Sequence, residues 1–486
     1  MPKSIVIGSG IAGIAAAIRL KAKGHEVDVY ETNAYPGGKL SEFTQQGFRF
    51  DAGPSLFTMP SYVDELFALC NENAGEHFNY DRLSVVCHYF YNDGASFKAD
   101  SDIDQLAVTL ENTMGEERGT VSKYFKKSAL IYRITTPVFL ENSLHKISTY
   151  FNRKGLYGIL NLWRLNLFTT MHDSNKQHFR NPKTQQFFDR FATYNGSNPY
   201  KAPATLNVIP HLEFGIGAYF PKKGMFSITS SLVELAERHG VKFHYNSRVE
   251  RIVTEKGKVK GVLVNNDTVT ADNVICNADV TPVYRHLLPQ LKMPLKVKKA
   301  EPSSSALIFY WGIKQQFKDL ELHNIFFSDN YKAEFDTIFT KQTIGDDITV
   351  YVNISSKYKM DDAPEGCENW FVMVNAPANT GQDWDVLITK TRQHIITKLS
   401  RLLKVDIAAL IVSESILDPR SIEQRTSSNK GALYGNSSNK RMSAFLRHAN
   451  FKSSVKGLYF CGGSVHPGGG IPLSLLSAKI TAGLIP

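Results

Sequence analysis

Short apolar runs and glycine-punctuated helical stretches alternate along the chain. Ser4-Ile5-Val6-Ile7 has the length and β-branched content of a buried strand, and Gly8-Ser9-Gly10-Ile11-Ala12-Gly13 interrupts it. Alanine-rich residues from Ile14 to about Lys23 predict a helix stopped by Gly24, and Glu26-Val27-Asp28-Val29-Tyr30 alternates as a second strand ending at Glu31. Residues 102–189 read as mostly helical, with breaks near Pro137 and Gly155. Residues 192–224 are irregular and rich in aromatics. A helix over 227–239 precedes strand candidates at 241–245, 249–254, 259–264 and 273–276. Sheet is expected again within 306–375, at 307–311, 348–353 and 370–375, followed by a helix over 384–403. A strand at 458–461, a glycine loop and a helix from about Pro472 end the pattern. No tandem repeat or low-complexity linker separates these blocks, so interleaved α/β domains are expected and not a string of independent ones.

Bulk properties narrow the picture only a little. A chain of 486 residues favours two or three domains, and 42% hydrophobic with 21% charged residues describes a globular protein. The net charge of +10 suits nucleic acid, anionic lipid or an acidic ligand equally, but no basic arm or zinc pattern supports nucleic acid. Five scattered cysteines without a CxxC pair argue against a disulfide framework or structural zinc and for a reducing compartment. The first strand begins almost at Met1, which leaves no room for a signal peptide, and no apolar run reaches the roughly 20 residues of a spanning helix. A cytoplasmic protein that meets membranes only from their surface is expected.

The glycine motif carries the first specific chemistry. Gly8 permits a tight turn, Gly10 lets backbone approach a pyrophosphate, and Gly13 lets helix pack closely on strand. The helix N-terminus offers N–H groups and a positive dipole end to phosphate, and Glu31 can accept hydrogen bonds from a ribose. Near the C-terminus, Cys461-Gly462-Gly463-Ser464 leads into His466-Pro467-Gly468-Gly469-Gly470-Ile471-Pro472, where three successive glycines suit close approach of a planar ligand to a second helix start.

With Pro36-Gly37-Gly38-Lys39-Leu40 and Phe50-Asp51-Ala52-Gly53-Pro54-Ser55, these segments resemble the amine-oxidase and carotenoid-desaturase superfamily of FAD proteins. The order of motifs over nearly the whole chain, the His466–Pro472 stretch above all, is similar to carotenoid desaturases of the bacterial phytoene-desaturase type. Residues 191–200, 323–328 and 461–466 look most like their 1-hydroxycarotenoid 3,4-desaturase branch. The resemblance implies an FAD-binding Rossmann-like, two-dinucleotide-binding-domain fold built from residues 1–80, 221–300 and 430–486. It further implies an interleaved α+β substrate domain from 81–100, 191–220 and 301–429, and a helical, membrane-facing subdomain at 101–190. The implied FAD contacts are Gly8, Ser9, Gly10, Ile11, Ala12, Gly13, Glu31, Gly38, Lys39, Leu40, Pro54, Ser55, Val249, Gly463, Gly470, Ile471 and Pro472. In the superfamily the Lys39 cation contacts phosphate, and the backbone at Val249, in Arg248-Val249-Glu250, meets the adenine; Asn277-Ala278-Asp279 falls in the family's order as well. Two departures stand out. Lys222-Lys223-Gly224-Met225 replaces a glycine pair, and Ser464 stands where an acidic residue is frequent.

The implied reaction removes two hydrogens from an allylic C–C bond of a long polyene. It requires the reacting carbons against the flavin and water kept out. Asp51, Glu213 and His466 are candidate proton acceptors; residues 191–226 and 306–327 are candidate tunnel walls; Thr193, Tyr194, Asn195 and Ser197 are candidate partners for a substrate hydroxyl. Leu156–Phe168, flanked by Arg153 and Lys154, is either a membrane-docking segment or a core helix. No nucleophile constellation or HExxH metal motif is visible. A multi-step phytoene desaturase, a flavin amine oxidase and a non-catalytic carotenoid-binding flavoprotein are the competing readings.

Overall fold

A computed structural model describes the chain except residues 147, 148, 152, 441, 442 and 444–446, together with the side chains of Lys154 and Leu162. Its central layer is a parallel five-stranded sheet in the order Lys242–His244, Glu26–Tyr30, Lys3–Ile7, Asn273–Cys276, Leu458–Phe460. Ile5, Val6, Val29, Val274 and Ile275 are fully or almost fully buried, as expected for parallel strands covered on both faces. The helix Ile11–Ala22 packs on this sheet and against the helices Ser227–Arg238 and Ile471–Leu484. It begins at Ile11, three residues before the position read from the sequence. Gly10 is the extended N-cap, so the second half of the glycine motif is already helical. Gly24, at φ +87°, stops it in a left-handed conformation that glycine tolerates. A small antiparallel sheet of Val249–Glu255, Lys258–Val264 and Asp267–Thr270 flanks the main one.

The second large layer is a seven-stranded sheet in the order Ile411–Leu417, Ser305–Ile313, Glu368–Ala376, Val350–Asn353, His323–Phe326, Val85–Phe90, Ser96–Asp100. Only the pairing of His323–Phe326 with Val85–Phe90 is parallel. One face packs Leu307, Phe309 and Trp311 against Ile395 and Leu399 of the helix Trp384–Leu403. The other face carries Ile308, Tyr310 and Phe371 against Phe48 and Phe50. Four of its strands, at 85–90, 96–100, 323–326 and 411–417, are not among the strands named from the sequence, although 323–326 falls within the 306–375 stretch expected to be sheet. The strand at 411–417 is a half-exposed edge whose Ser413-Glu414-Ser415 breaks any apolar run.

The 103–189 region carries the helices Ile103–Met114, Arg118–Thr135, Met171–His178 and Pro182–Asp189. Within the Leu156–Phe168 segment, Leu165 is core, fully buried beside Ile131 and Ile134, but most of the large side chains are not. In the helix Arg153–Leu160 it is Gly155 and Gly158 that are buried, while Leu156, Tyr157, Ile159 and Leu160 are exposed, as are Trp163 and Phe168 beyond it. Among the described residues no helix is long and apolar enough to cross a membrane. All five cysteines are free, and no group of metal-ligating side chains occurs among the described residues.

Candidate functional site

One cavity of about 580 Å³ runs from the glycine motif at the parallel sheet to the seven-stranded sheet. At one end two helix N-termini meet it. Gly10, Ile11 and Ala12 open the first helix, and Gly470, Ile471 and Pro472 open the second; neither has a side-chain cap. Unsatisfied N–H groups and two positive dipole ends therefore face the same space. A Cβ on Gly10 would stand 2.8 Å from Asn277 Nδ2, and one on Gly13 only 2.1 Å from the Gly8 carbonyl oxygen. Gly13 is thus a packing glycine that does not line the cavity.

Ser9 is also absent from the wall and has a different task. Its N–H and hydroxyl donate to Glu31 Oε2 at 2.8 and 2.9 Å, while the N–H and amide of Asn33 donate to Glu31 Oε1 at 2.9 and 3.0 Å. All four acceptor positions of this carboxylate are filled by the protein, so a ribose diol could bond it only by displacing the Ser9 hydroxyl or the Asn33 amide. Lys39, which the resemblance assigns to phosphate, lines the cavity. Its ammonium donates to the carbonyls of Ala432 and Leu433 at 3.0 and 2.8 Å, and burial, partly offset by Asp279, lowers its pKa to about 8. Glu31, Gly38, Lys39, Leu40, Pro54, Ser55, Val249 and Gly463 all line the cavity. The residues fit a dinucleotide: a Cβ-free cradle, two uncapped helix starts, a carboxylate at a strand end and the apolar wall of Val249.

The three candidate proton acceptors separate. Asp51 braces a turn, accepting from the N–H groups of Met225 and Phe226 at 3.0 and 2.9 Å while paired with Arg49 at 2.7 Å. It thereby holds the Lys222–Met225 departure in place. His466 lies outside the cavity wall; its Nε2–H donates to the Asn142 carbonyl at 2.9 Å, and burial lowers its pKa to about 4. Glu213 does reach the cavity, but both its oxygens are engaged, one by Arg190 at 2.6 Å and the other by the Tyr194 hydroxyl. Ser464 turns its hydroxyl to the Val280 N–H at 3.1 Å.

The expected hydroxyl partners are mostly turn residues bonding their own neighbourhood. Thr193 donates to the Arg190 carbonyl and Ser197 to that of Asn195, while Asn195 bonds Ser438 and Arg447. Tyr194 and Thr193 reach the cavity; Asn195 and Ser197 do not. Much of the proposed tunnel wall, including Phe191, Phe214, Phe220 and Trp311, is ordinary core. Of the expected wall, Ile308, Ile325 and Phe327 do line the cavity, joined by Phe371, Met373 and Leu417 from outside it. Arg190, His323 and Tyr351 were missed. A signal existed for His323: period-two reading of His323-Asn324-Ile325-Phe326 puts a titratable ring on the same face as Ile325 in a fully buried strand.

Residues 11–486 match the family model described as flavin containing amine oxidoreductase. The chain is 51% identical over 486 residues to a 1-hydroxycarotenoid 3,4-desaturase of a Flavobacterium species, covering 100% of this chain and 99% of that protein. It is 30% identical to a 4,4'-diaponeurosporene oxygenase of Staphylococcus haemolyticus, covering 99% and 96%. Among solved structures, the cyclohexylamine oxidase of Brevibacterium oxydans superposes with a TM-score of 0.63 at 14% identity, over 100% and 98% of the two chains, a likeness of fold.

Proposed function

This chain belongs to the flavin-containing amine oxidoreductases, and within that family we propose that it is an FAD-dependent carotenoid desaturase forming the 3,4 double bond of a 1-hydroxylated carotenoid. The observation that carries the reading is the shared cavity, which joins a dinucleotide cradle to a chamber walled by Ile308, Ile325, Phe327 and Leu417. Full-length 51% identity to a desaturase of that substrate class supports the finer assignment. A bound flavin supplies the two-electron acceptor for the hydrogens removed from the C–C bond. The protein supplies the rest: helix starts at Ile11 and Ile471 for negative charge, aliphatic walls that exclude water, and one apolar path for a long polyene.

On this reading residues 1–80, 221–300 and 430–486 hold FAD, through the cradle residues Gly8, Gly10, Ile11 and Ala12 and the others named above. The 101–190 subdomain docks on the cytoplasmic face of a membrane, where the substrate dissolves. The exposed Tyr157, Leu160 and Trp163 and the net charge of +10 support docking on anionic lipid.

The test is to express the chain in cells making different carotenoids and identify which pigment gains a double bond. A 1-hydroxycarotenoid gaining one at C3–C4 is expected, with FAD released from the denatured protein. Preference for phytoene makes it an early, multi-step desaturase, and failure on every polyene overturns the proposal.

A further inference from the structure

The apolar chamber contains a short polar chain that starts at Ser55, on the cofactor side of its wall. Ser55 Oγ lies 2.6 Å from the Tyr351 hydroxyl, which lies 2.7 Å from His323 Nδ1. Asn353, opposite His323 across the strand pair, directs its amide nitrogen to the Leu322 carbonyl at 3.0 Å and to His323 Nδ1 at 3.2 Å. The Leu322 carbonyl can only accept, so the Asn353 atom facing His323 is the NH2 group; an acceptor Nδ1, whose one lone pair serves the Tyr351 hydroxyl at 2.7 Å, is the tautomer that avoids setting two donors face to face. The ring is 3% exposed, and burial together with the Arg190 charge keeps it neutral, with a pKa of about 3. A neutral imidazole that accepts at Nδ1 carries its proton on Nε2. That Nε2–H is buried and has no partner, although His323 lines the cavity. Native structures rarely leave such a donor unsatisfied, because doing so costs about 1–3 kcal/mol.

We propose that His323 Nε2–H is the donor that binds the oxygen of a tertiary hydroxyl at the end of a hydroxylated polyene, with Tyr351 and Asn353 as positioning residues that fix its tautomer. This rests on the function proposed above and names the group that would read its substrate. In such a substrate a single methylene separates the hydroxyl-bearing carbon from the first carbon of the new double bond. Holding the hydroxyl therefore also selects which C–C bond is presented for oxidation. The link through Ser55, which adjoins Gly53 and Pro54 on the same cavity wall as Lys39 and Leu40, ties this donor to the cofactor end of the chamber. Tyr351 pairs with Ile325 in register, so an aliphatic side chain stands beside the donor to accept the polyene.

The experiment compares holoenzyme with His323→Leu, His323→Gln and Tyr351→Phe on a 1-hydroxycarotenoid and its unhydroxylated parent. It measures kcat/KM for each, and equilibrium binding from the shift of the polyene's visible absorption band. Wild type should prefer the hydroxylated substrate. His323→Leu should lower kcat/KM and affinity for that substrate by roughly 5- to 150-fold, the equivalent of about 1–3 kcal/mol, and lower those for the parent much less, so that the preference collapses. His323→Gln, which can present an N–H near Nε2, should recover part of the preference. Tyr351→Phe should fall between wild type and His323→Leu, and serves if the leucine variant fails to fold or to retain flavin. A water as the real occupant of this donor predicts no wild-type preference, or equal losses on both polyenes; either result overturns the inference and leaves the proposed function standing. A wild-type protein that turns over neither polyene overturns that function and the inference with it.

Discussion

The helices Ile11–Ala22 and Arg153–Leu160 use small residues in opposite ways. In the first, Gly13 and the alanines at 15–17 are buried, and helix, sheet and neighbouring helices close on one another with no large apolar side chain left exposed. In the second, Gly155 and Gly158 face inward, and a Cβ on Gly158 would stand 2.4 Å from Val138 Cγ2. Its large side chains point away from the protein: Leu156 is 55% exposed and Leu160 64%, with Trp163 in the next turn at 74%. Small residues anchor both helices. Where the anchor needs no large side chain, the large ones are left at the surface, and the docking proposed above would use them.

The contrast breaks most visibly at Gly13. A Gly13→Val side chain meets the Gly8 carbonyl, which is backbone and cannot move aside cheaply. A loss of about 3 kcal/mol or more is expected, with no flavin-loaded protein recovered, as flavin absorbance and thermal melting will report. Next in size is Glu31→Gln, which keeps the shape but removes the charge that Ser9 and Asn33 now satisfy. FAD affinity measured by titration of the apoprotein should fall by about 1.5–3 kcal/mol, and an unchanged Kd would remove Glu31 from the site.

A third prediction concerns pH, because His466 in the C-terminal glycine loop donates to Asn142 in the helical region. Burial lowers the pKa of His466 and His448 to about 4 and that of His323 to about 3. These rings stay neutral in the folded protein while the unfolded chain protonates near pH 6.5. Their full contribution is present above that pH and is lost as pH falls toward 4. Each ring removes up to about 1.4 kcal/mol per pH unit, and His466→Gln should flatten the dependence of Tm on pH by one ring's share. The smallest effect on stability is expected at the outward face. Leu160→Ser with Trp163→Ser should change stability by less than about 0.5 kcal/mol yet weaken sedimentation with anionic vesicles several-fold. A large drop in Tm would return these residues to the core.

The parallel sheet was legible because it is written locally: strand, glycine turn, helix and strand follow within Lys3–Tyr30, and each period is unambiguous. The seven-stranded sheet was only half legible. Val85–Phe90 finds its partner at His323–Phe326, a pairing no local pattern announces, and the edge strand Ile411–Leu417 is too polar to stand out. The site divides the same way. Gly10, Glu31 and Gly470 sit in motifs whose spacing carries their chemistry. His323, Tyr351 and Asn353 act together only because strand register brings them onto one face. The aromatic segment at 191–200 drew the search for a hydroxyl partner to Asn195 and Ser197, whose side chains serve their own loop.

The parallel sheet also sets an order of events in the cell. Its strand Leu458–Phe460 leads into residues 461–464, and these with the start of the helix Ile471–Leu484 come late in the sequence yet border the same cleft as Gly10. A ribosome that has translated the whole glycine motif has therefore built only one lip of the cofactor cleft. Tight flavin capture has to wait until the second lip emerges, and a nascent chain arrested before residue 458 should be released colourless and sensitive to protease.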